Sequence, residues 1–174
     1  MSRAVRFAPL VLLVLLLAGL VWRLATPEDT TIHSKLEGRP VPAFALPAAL
    51  PTKPGLGSAD LTGQPRLVNI FASWCVPCIT EVRVLQQLKN RGVVVDGIAV
   101  RDRREDVANF LAQNGDPYER IGSDSQSRVQ IALGSSGVPE SFIVDGNGVI
   151  RDQHIGPIEA TDVPMILSKL EQAR

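Results

Sequence analysis

The hydrophobic pattern divides the chain into two parts. From Phe7 to Trp22 the sequence is apolar apart from the small residue Gly19, with Arg3 and Arg6 before the run and Arg23 after it. As a helix, Phe7 to Leu24 spans roughly 27 Å, close to a hydrocarbon thickness of about 30 Å. Arg23 can snorkel at its far end. Two arginines lead the segment and Glu28 and Asp29 follow it, so the positive-inside rule puts the N-terminus in the cytoplasm and the rest outside. A cleaved signal peptide would end in small residues in an A-x-A-like pattern. Val21-Trp22-Arg23-Leu24-Ala25 is a poor match, and no cysteine follows the run to carry a lipid. Residues 1–25 are therefore expected to be an uncleaved signal anchor, 26–37 a polar linker, and 38–174 one exported domain.

Within that domain the periodicity alternates between buried strands and amphipathic helices. Leu67 to Ala72 is a short apolar run, as in a strand buried on both faces. Ile79 to Asn90 carries Ile79, Val82, Leu85 and Leu88 at helical spacing, and Gly92 ends it. Val93 to Val100 is a second buried strand. Arg104 to Gln113 is a helix with Val107, Phe110 and Leu111 inward, stopped by Asn114-Gly115-Asp116-Pro117. Ser125 to Leu133 predicts a short helix. Glu140 to Val144 and Val149 to His154 flank the turn Asp145-Gly146-Asn147-Gly148, a hairpin signal. Ala160 to Gln172 predicts a last helix with Val163, Ile166, Leu167 and Leu170 on one face. Upstream, Arg39 to Pro47 has too many prolines for a central strand but could form an edge strand. Pro51 to Gly57 reads as a loop and Gly63-Gln64-Pro65 as a turn. The early β-α-β unit requires a parallel pair and the late hairpin adds antiparallel strands. The expected fold is α/β: a central mixed sheet with helices on both faces, preceded by one transmembrane helix.

Composition changes this picture little. The chain has 18 basic and 18 acidic residues among 174. Setting aside the three arginines of the anchor leaves 15 basic residues against all 18 acidic ones in the exported part. This mild acidity argues against a nucleic-acid partner or attraction to anionic lipid.

The chemistry sits in Trp74-Cys75-Val76-Pro77-Cys78, which contains the only two cysteines. They fall between the end of a strand and the start of a helix. Cys75 at the helix N-terminus would meet free N–H groups and the positive end of the macrodipole, which favour a thiolate. The thiolate is the form that attacks a disulfide. Cys78, one turn on, would point inward beside Cys75 and release a mixed disulfide by attacking it. Pro77 falls in the first turn, where its missing N–H costs little, and Trp74 could cover the disulfide as an apolar platform. Two plainer readings compete. A structural disulfide would close too short a loop to stabilise much. A zinc half-site would need two further ligands, and only His33 and His154 are available. Otherwise the two histidines suggest no chemistry, His154 capping or packing at a strand end. Asp102-Arg103-Arg104-Glu105-Asp106 reads as a solvated helix start. No cofactor or metal is expected.

A second candidate element is Gly137-Val138-Pro139-Glu140. With a cis Val138–Pro139 bond the chain would turn sharply and leave the Val138 backbone free. An extended substrate segment could pair there as an added strand. The alternative is an ordinary trans turn proline.

Trp-Cys-x-Pro-Cys after a buried strand, with Gly-Val-Pro before a hairpin, resembles the thioredoxin superfamily. The nearer resemblance is to membrane-anchored thiol–disulfide oxidoreductases of cytochrome c maturation, the DsbE/CcmG type. It is carried by Gly38 to Phe44, Asn69 to Glu81, Gly115-Asp116-Pro117-Tyr118, and Gly137 to Gly148. It implies a thioredoxin-like fold with a cis Pro139 facing the Cys75–Cys78 redox disulfide, Cys75 as nucleophile and Cys78 as resolving thiol. Trp74, Val138 and Pro139 would contact substrate. It implies a single-pass protein of the bacterial inner membrane with its domain in the periplasm. There it would keep the heme-binding cysteines of apocytochrome c reduced, directly or through a partner thiol protein, with electrons from a membrane thiol transporter.

Glu81, one turn after Cys78, and Glu140, after the proline, fit that role as tuning carboxylates. Negative charge nearby disfavours thiolate and makes the pair a better reductant. The plainer readings are a solvated helix carboxylate for Glu81 and a strand-edge surface residue for Glu140. General thioredoxins carry a buried aspartate six residues before the first cysteine; here that residue is Asn69. A similar anchored architecture serves other targets, such as copper-site assembly of respiratory oxidases. A redox-inert thioredoxin-like binding module is the third reading.

Overall fold

The computed structural model describes residues 3–25 and 36–174. The chain divides into two compact units, Met1–Ile32 and His33–Arg174. In the first, α1 (Arg3–Ala25) is one continuous helix of 23 residues. Among the described residues, which leave out several side chains of this segment, no helix is long and apolar enough to cross a membrane. The segment expected to be an anchor is thus a helix. Most of the expected linker, with His33, lies outside the described residues.

The second unit is built on a five-stranded mixed sheet in the order β5-β4-β3-β6-β7. The strands are β3 (Arg66–Phe71), β4 (Val94–Val100), β5 (Ile121–Asp124), β6 (Glu140–Val144) and β7 (Ile150–Ile155). β3, β4 and β5 run parallel, while β6 is antiparallel to both β3 and β7. β3 lies at the centre, and all six of its residues are buried, as expected of a mainly apolar strand covered on both faces. The helices are α2 (Val76–Asn90), α3 (Arg104–Asn114), the short α4 (Arg128–Ala132) and α5 (Val163–Gln172). α2 packs against both α3 and α5.

The structure departs from the sequence expectations at the periphery of the sheet. The proline-rich stretch forms only β1 (Ala45–Leu46), which pairs with β2 (Leu56–Gly57) inside the segment read as a loop. Prolines 40, 42 and 47 have no N–H to give, so pairing there is limited to two residues and isolated bridges at Pro40 and Ala48. β5 was not anticipated at all: Ile-Gly-Ser-Asp has no strand pattern. Tertiary context makes it a strand. It pairs with β4, and Gly122 lets β1 approach so closely that a Cβ there would stand 2.8 Å from Leu46. Ile79 was expected inward but is 40% exposed. α2 starts at Val76, so its inward stripe is Cys78, Glu81, Val82, Leu85 and Leu88. α5 starts at Val163 rather than Ala160, with Pro164 in its first turn.

Beneath the sheet end that carries the cysteines, Phe71 stacks on Tyr118 with ring centroids 4.7 Å apart and on Phe110 at 5.7 Å. Gly97 on β4 leaves room for these rings; a Cβ there would lie 2.9 Å from Phe71 Cε1 and 3.0 Å from Tyr118 Cδ1. Gly97→Ala is therefore expected to destabilise the domain by about 1–3 kcal/mol, the usual cost of overpacking. A thermal melt checks this; an unchanged midpoint would show that the rings yield freely.

Candidate active site

β3 ends at Phe71 and the chain turns through Ala72-Ser73-Trp74 into α2. Cys75 is the N-cap residue of α2, in extended conformation, and its Sγ accepts from the Cys78 N–H at 3.2 Å. Val76 and Pro77 form the first turn, where Pro77 forfeits no intrahelical bond. Cys75 and Cys78 are joined as a disulfide with Cα atoms 5.3 Å apart. Both sulfur residues are covered, Cys75 at 4% exposure and Cys78 at 1%, so Cys75 is the more accessible end. The helix N-terminus faces Cys75 and stabilises negative charge on its sulfur.

The turn before the cysteines is tied down by a residue the sequence did not single out. Asp102, from the β4–α3 connection, accepts from the Ser73 N–H at 2.6 Å and from Ser73 Oγ at 2.5 Å. The expectation of a solvated helix start holds for Arg103 and Asp106, an exposed ion pair, and fails for Asp102. Inside a run of five charged residues nothing marks Asp102 as different; only the tertiary approach of two loops does. Asp102→Ala leaves the Ser73 amide without its acceptor. It is expected to lower stability by about 1–3 kcal/mol, the range for charge-assisted bonds, as read by chemical denaturation at neutral pH.

Val138–Pro139 is a cis peptide bond, as the family resemblance implies, and not the ordinary trans turn proline that is the alternative. The β3–β6 register pairs Ile70 with Glu140, so Pro139 stands at the level of Phe71–Ala72, at the sheet end from which the cysteine turn leaves. A groove of about 440 Å³ runs between Trp74 and the Ser135–Val138 loop, with Arg101 and Ile131 in its walls. Trp74 is 57% exposed and is a wall of this groove.

The two glutamates are not surface residues. Glu140 is 1% exposed. Its carboxylate accepts from the Ser136 N–H at 2.8 Å and from the Gly137 N–H at 3.4 Å, and takes further bonds from Ser135 Oγ and Gln153 Nε2. It thereby braces the loop that ends in cis Pro139. Glu81, also 1% exposed, accepts from the Ile158 N–H at 3.0 Å and from Asn69 Nδ2 at 3.1 Å. Burial pushes its carboxyl up to about 7, against the opposing pull of the bonds from Ile158 and Asn69. Glu81 can therefore hold or release a proton near neutral pH, one helical turn from Cys78.

Asn69 is the hub of this buried network. Its amide donates to Glu81 and, at 3.0 Å, to Ser141 Oγ, while its Oδ1 accepts from the Tyr118 hydroxyl at 2.8 Å. Burial, then the negative charges of Glu81 and Asp116, hold the Tyr118 hydroxyl protonated well above its usual range. The carboxylate missing at strand position 69 is thus supplied to the same place from helix α2. The chain's single tyrosine and Ser141 carried no mark of this in the sequence. His154 lies apart from the network, with Nε2 3.3 Å from the Pro157 carbonyl and 3.9 Å from Asp162.

A parallel-core mixed sheet, a Cys-x-x-Cys disulfide at the head of the helix after its central strand, and a cis-proline loop beside it define a thioredoxin-like thiol–disulfide oxidoreductase. The Redoxin family profile matches residues 36–170. The chain is 38% identical over 159 residues to the thiol:disulfide interchange protein DsbE of Pseudomonas fluorescens, covering 91% of this chain and 88% of that protein. It is 36% identical over 165 residues to the Escherichia coli protein of the same name, again covering 91% and 88%. A solved thiol:disulfide interchange protein from Chlorobium tepidum superposes with a TM-score of 0.59 at 28% identity, covering 75% of this chain and 94% of that one. The chain belongs to the Redoxin family and, within the thioredoxin superfamily, to the DsbE/CcmG type.

Proposed function

We propose that this protein is a membrane-anchored periplasmic reductant of cytochrome c biogenesis. It keeps the heme-binding cysteines of apocytochrome c, or of a partner thiol protein, reduced. The observation that carries a reducing direction is the pair of buried carboxylates, Glu81 one helical turn from Cys78 and Glu140 bonded to the cis-proline loop. Negative charge there, which Glu81 carries once the pH passes about 7, disfavours a thiolate and so favours giving electrons away. The continuous helix Arg3–Ala25, with its apolar sequence, supports a single-pass anchor in the inner membrane.

In the reduced protein, the Cys75 thiolate attacks one sulfur of a substrate disulfide and the other substrate sulfur leaves as a thiolate. Cys78, losing its proton, then attacks Cys75 Sγ. The substrate leaves as a dithiol and Cys75–Cys78 is left as the disulfide, so two electrons have passed to the substrate. Glu81 is the buried group able to take the Cys78 proton. Trp74, Val138 and Pro139 hold the incoming segment, which pairs with the Val138 backbone. A membrane thiol transporter restores the dithiol.

A strain lacking the protein, scored separately for c-type cytochromes and for copper-containing oxidase, tests the target. Loss of c-type cytochromes with active oxidase is expected. Loss of oxidase alone would assign the protein to copper-site assembly, and no loss of either, with a disulfide that resists cellular reduction, to a redox-inert binding module.

A further inference from the structure

Arg101, at the end of β4, is out of keeping with its surroundings. Its φ is +50°, and it is one of only two described non-glycine residues with positive φ; the other is Ser127, at +54°. Such a backbone is unfavourable for a side chain with a Cβ and persists where the surroundings hold it. The two positions hold each other. Arg101 Nε donates to Ser127 Oγ at 2.9 Å, and Ser127 is completely buried. The Arg101 amide also donates to the Asp124 carbonyl at 3.3 Å.

The result is a guanidinium fixed through Nε, with no ion pair to its terminal amino groups among the described residues. The neighbouring carboxylate that could neutralise it, Asp102, is turned to Ser73. Arg103 is paired with Asp106. Arg101 lies in the walls of both grooves that flank Trp74. One is the groove beside the Ser135–Val138 loop, where it is the only charged lining residue; the other, about 580 Å³, lies against α3 and includes Ile79 and Phe110 together with the charged residues Asp102, Arg103 and Asp106. In the groove beside the Ser135–Val138 loop, a cation held through Nε with no other charge in the lining favours an anion in the occupant, and a guanidinium grips a carboxylate with its paired N–H groups.

The geometry points to Arg101 as a specificity-determining residue that binds a carboxylate side chain close to the attacked cysteine of the substrate polypeptide. This rests on the reading of Cys75–Cys78 as the exchanging pair with the substrate segment in the Trp74 groove. Arg101 touches the flanking residue of the substrate, not the reacting sulfurs.

The test uses the full chain, reduced and held in detergent micelles. Its substrates are short peptides with one internal disulfide, in which a single Glu is moved from three positions before the attacked cysteine to three after it. A matching set carries Gln instead. The wild type is expected to reduce the Glu peptide at one position roughly fivefold faster than its Gln partner, the upper range for an exposed ion pair. Arg101→Gln is expected to bring that ratio near one, Arg101→Lys to restore part of it, and Arg101→Glu to favour a Lys peptide at the same position. The midpoint potential of Cys75–Cys78 is measured for each variant. No Glu preference at any position, or an unchanged preference in Arg101→Gln, overturns the proposal. So does equal slowing of both peptides with a shifted midpoint, which would place the charge effect on the thiols. If the wild type reduces neither set, the exchange reading itself falls and this inference with it.

Discussion

Cys78→Ser is expected to stop the reaction halfway and accumulate a mixed disulfide between Cys75 and the target. Cys75→Ser is expected to drop exchange to the rate of the uncatalysed reaction. The two sulfurs differ in position. Cys75 caps α2, is the more exposed of the two, and has the helix N-terminus to stabilise its thiolate. Cys78 is enclosed one turn inward, within reach of Cys75 and of nothing outside. Removing Cys78 therefore removes the step that frees the substrate and leaves the first attack intact. Trapping with thiol alkylation, followed by non-reducing electrophoresis, reads both variants. A trapped adduct carried by Cys78 in the Cys75→Ser variant would reverse the assignment.

Glu81→Gln is expected to change both the pH dependence of stability and the rate of resolution. The Glu81 carboxyl keeps its proton up to about pH 7 in the folded chain, against 4.5 for the free group. The stability this gives is complete below pH 4.5 and is lost as the pH rises through 7, because the folded state must then desolvate a carboxylate that the unfolded chain exposes to water. Wild type should lose about 3 kcal/mol relative to Glu81→Gln across that interval. Denaturant titrations of both oxidised proteins at pH 4, 6 and 8 measure the difference; parallel profiles would mean that Glu81 ionises normally. The same substitution removes the group placed to take the Cys78 proton. Resolution of the mixed disulfide at pH 7 should slow roughly a hundredfold, the lower range for loss of general base catalysis. Above about pH 7, where the wild type carries a negative charge that the variant lacks, the variant's thiol pKa is lower and its pair is a weaker reductant. A redox titration against glutathione should move in that direction.

Tyr118 and Asn69 bear on the same measurement. The Asn69 amide uses both its N–H donors, on Glu81 and Ser141, and its oxygen accepts from Tyr118. That arrangement turns one donor toward Glu81 and supports its carboxylate form while burial opposes it. Glu140 differs: its bonds run to Ser135, Ser136, Gly137 and Gln153, so its first structural effect is to shape the cis-proline loop.

The sequence by itself determined the elements whose pattern is complete within a few residues. β3 and β4 are legible as short, mainly apolar runs, α2 and α3 as helical stripes closed by Gly92 and Gly115, and the β6–β7 hairpin as two strands around Asp-Gly-Asn-Gly. It also determined the redox pair, because two cysteines three apart at a strand–helix junction have few other uses. Tertiary structure decided what depends on partners distant along the chain. β5 is a strand because the edge of β4 and Leu46 of β1 accept it, not because Ile-Gly-Ser-Asp asks to be one. Asp102 leaves its charged run because Ser73, 29 residues away, presents an amide and a hydroxyl to it. Glu81 looks like any helix carboxylate until Asn69 and Ile158 close over it and burial raises its proton affinity. Local sequence specifies backbone shape because backbone preferences are local; the charge state of a buried group depends on everything that replaces its water, and that is assembled only by the fold.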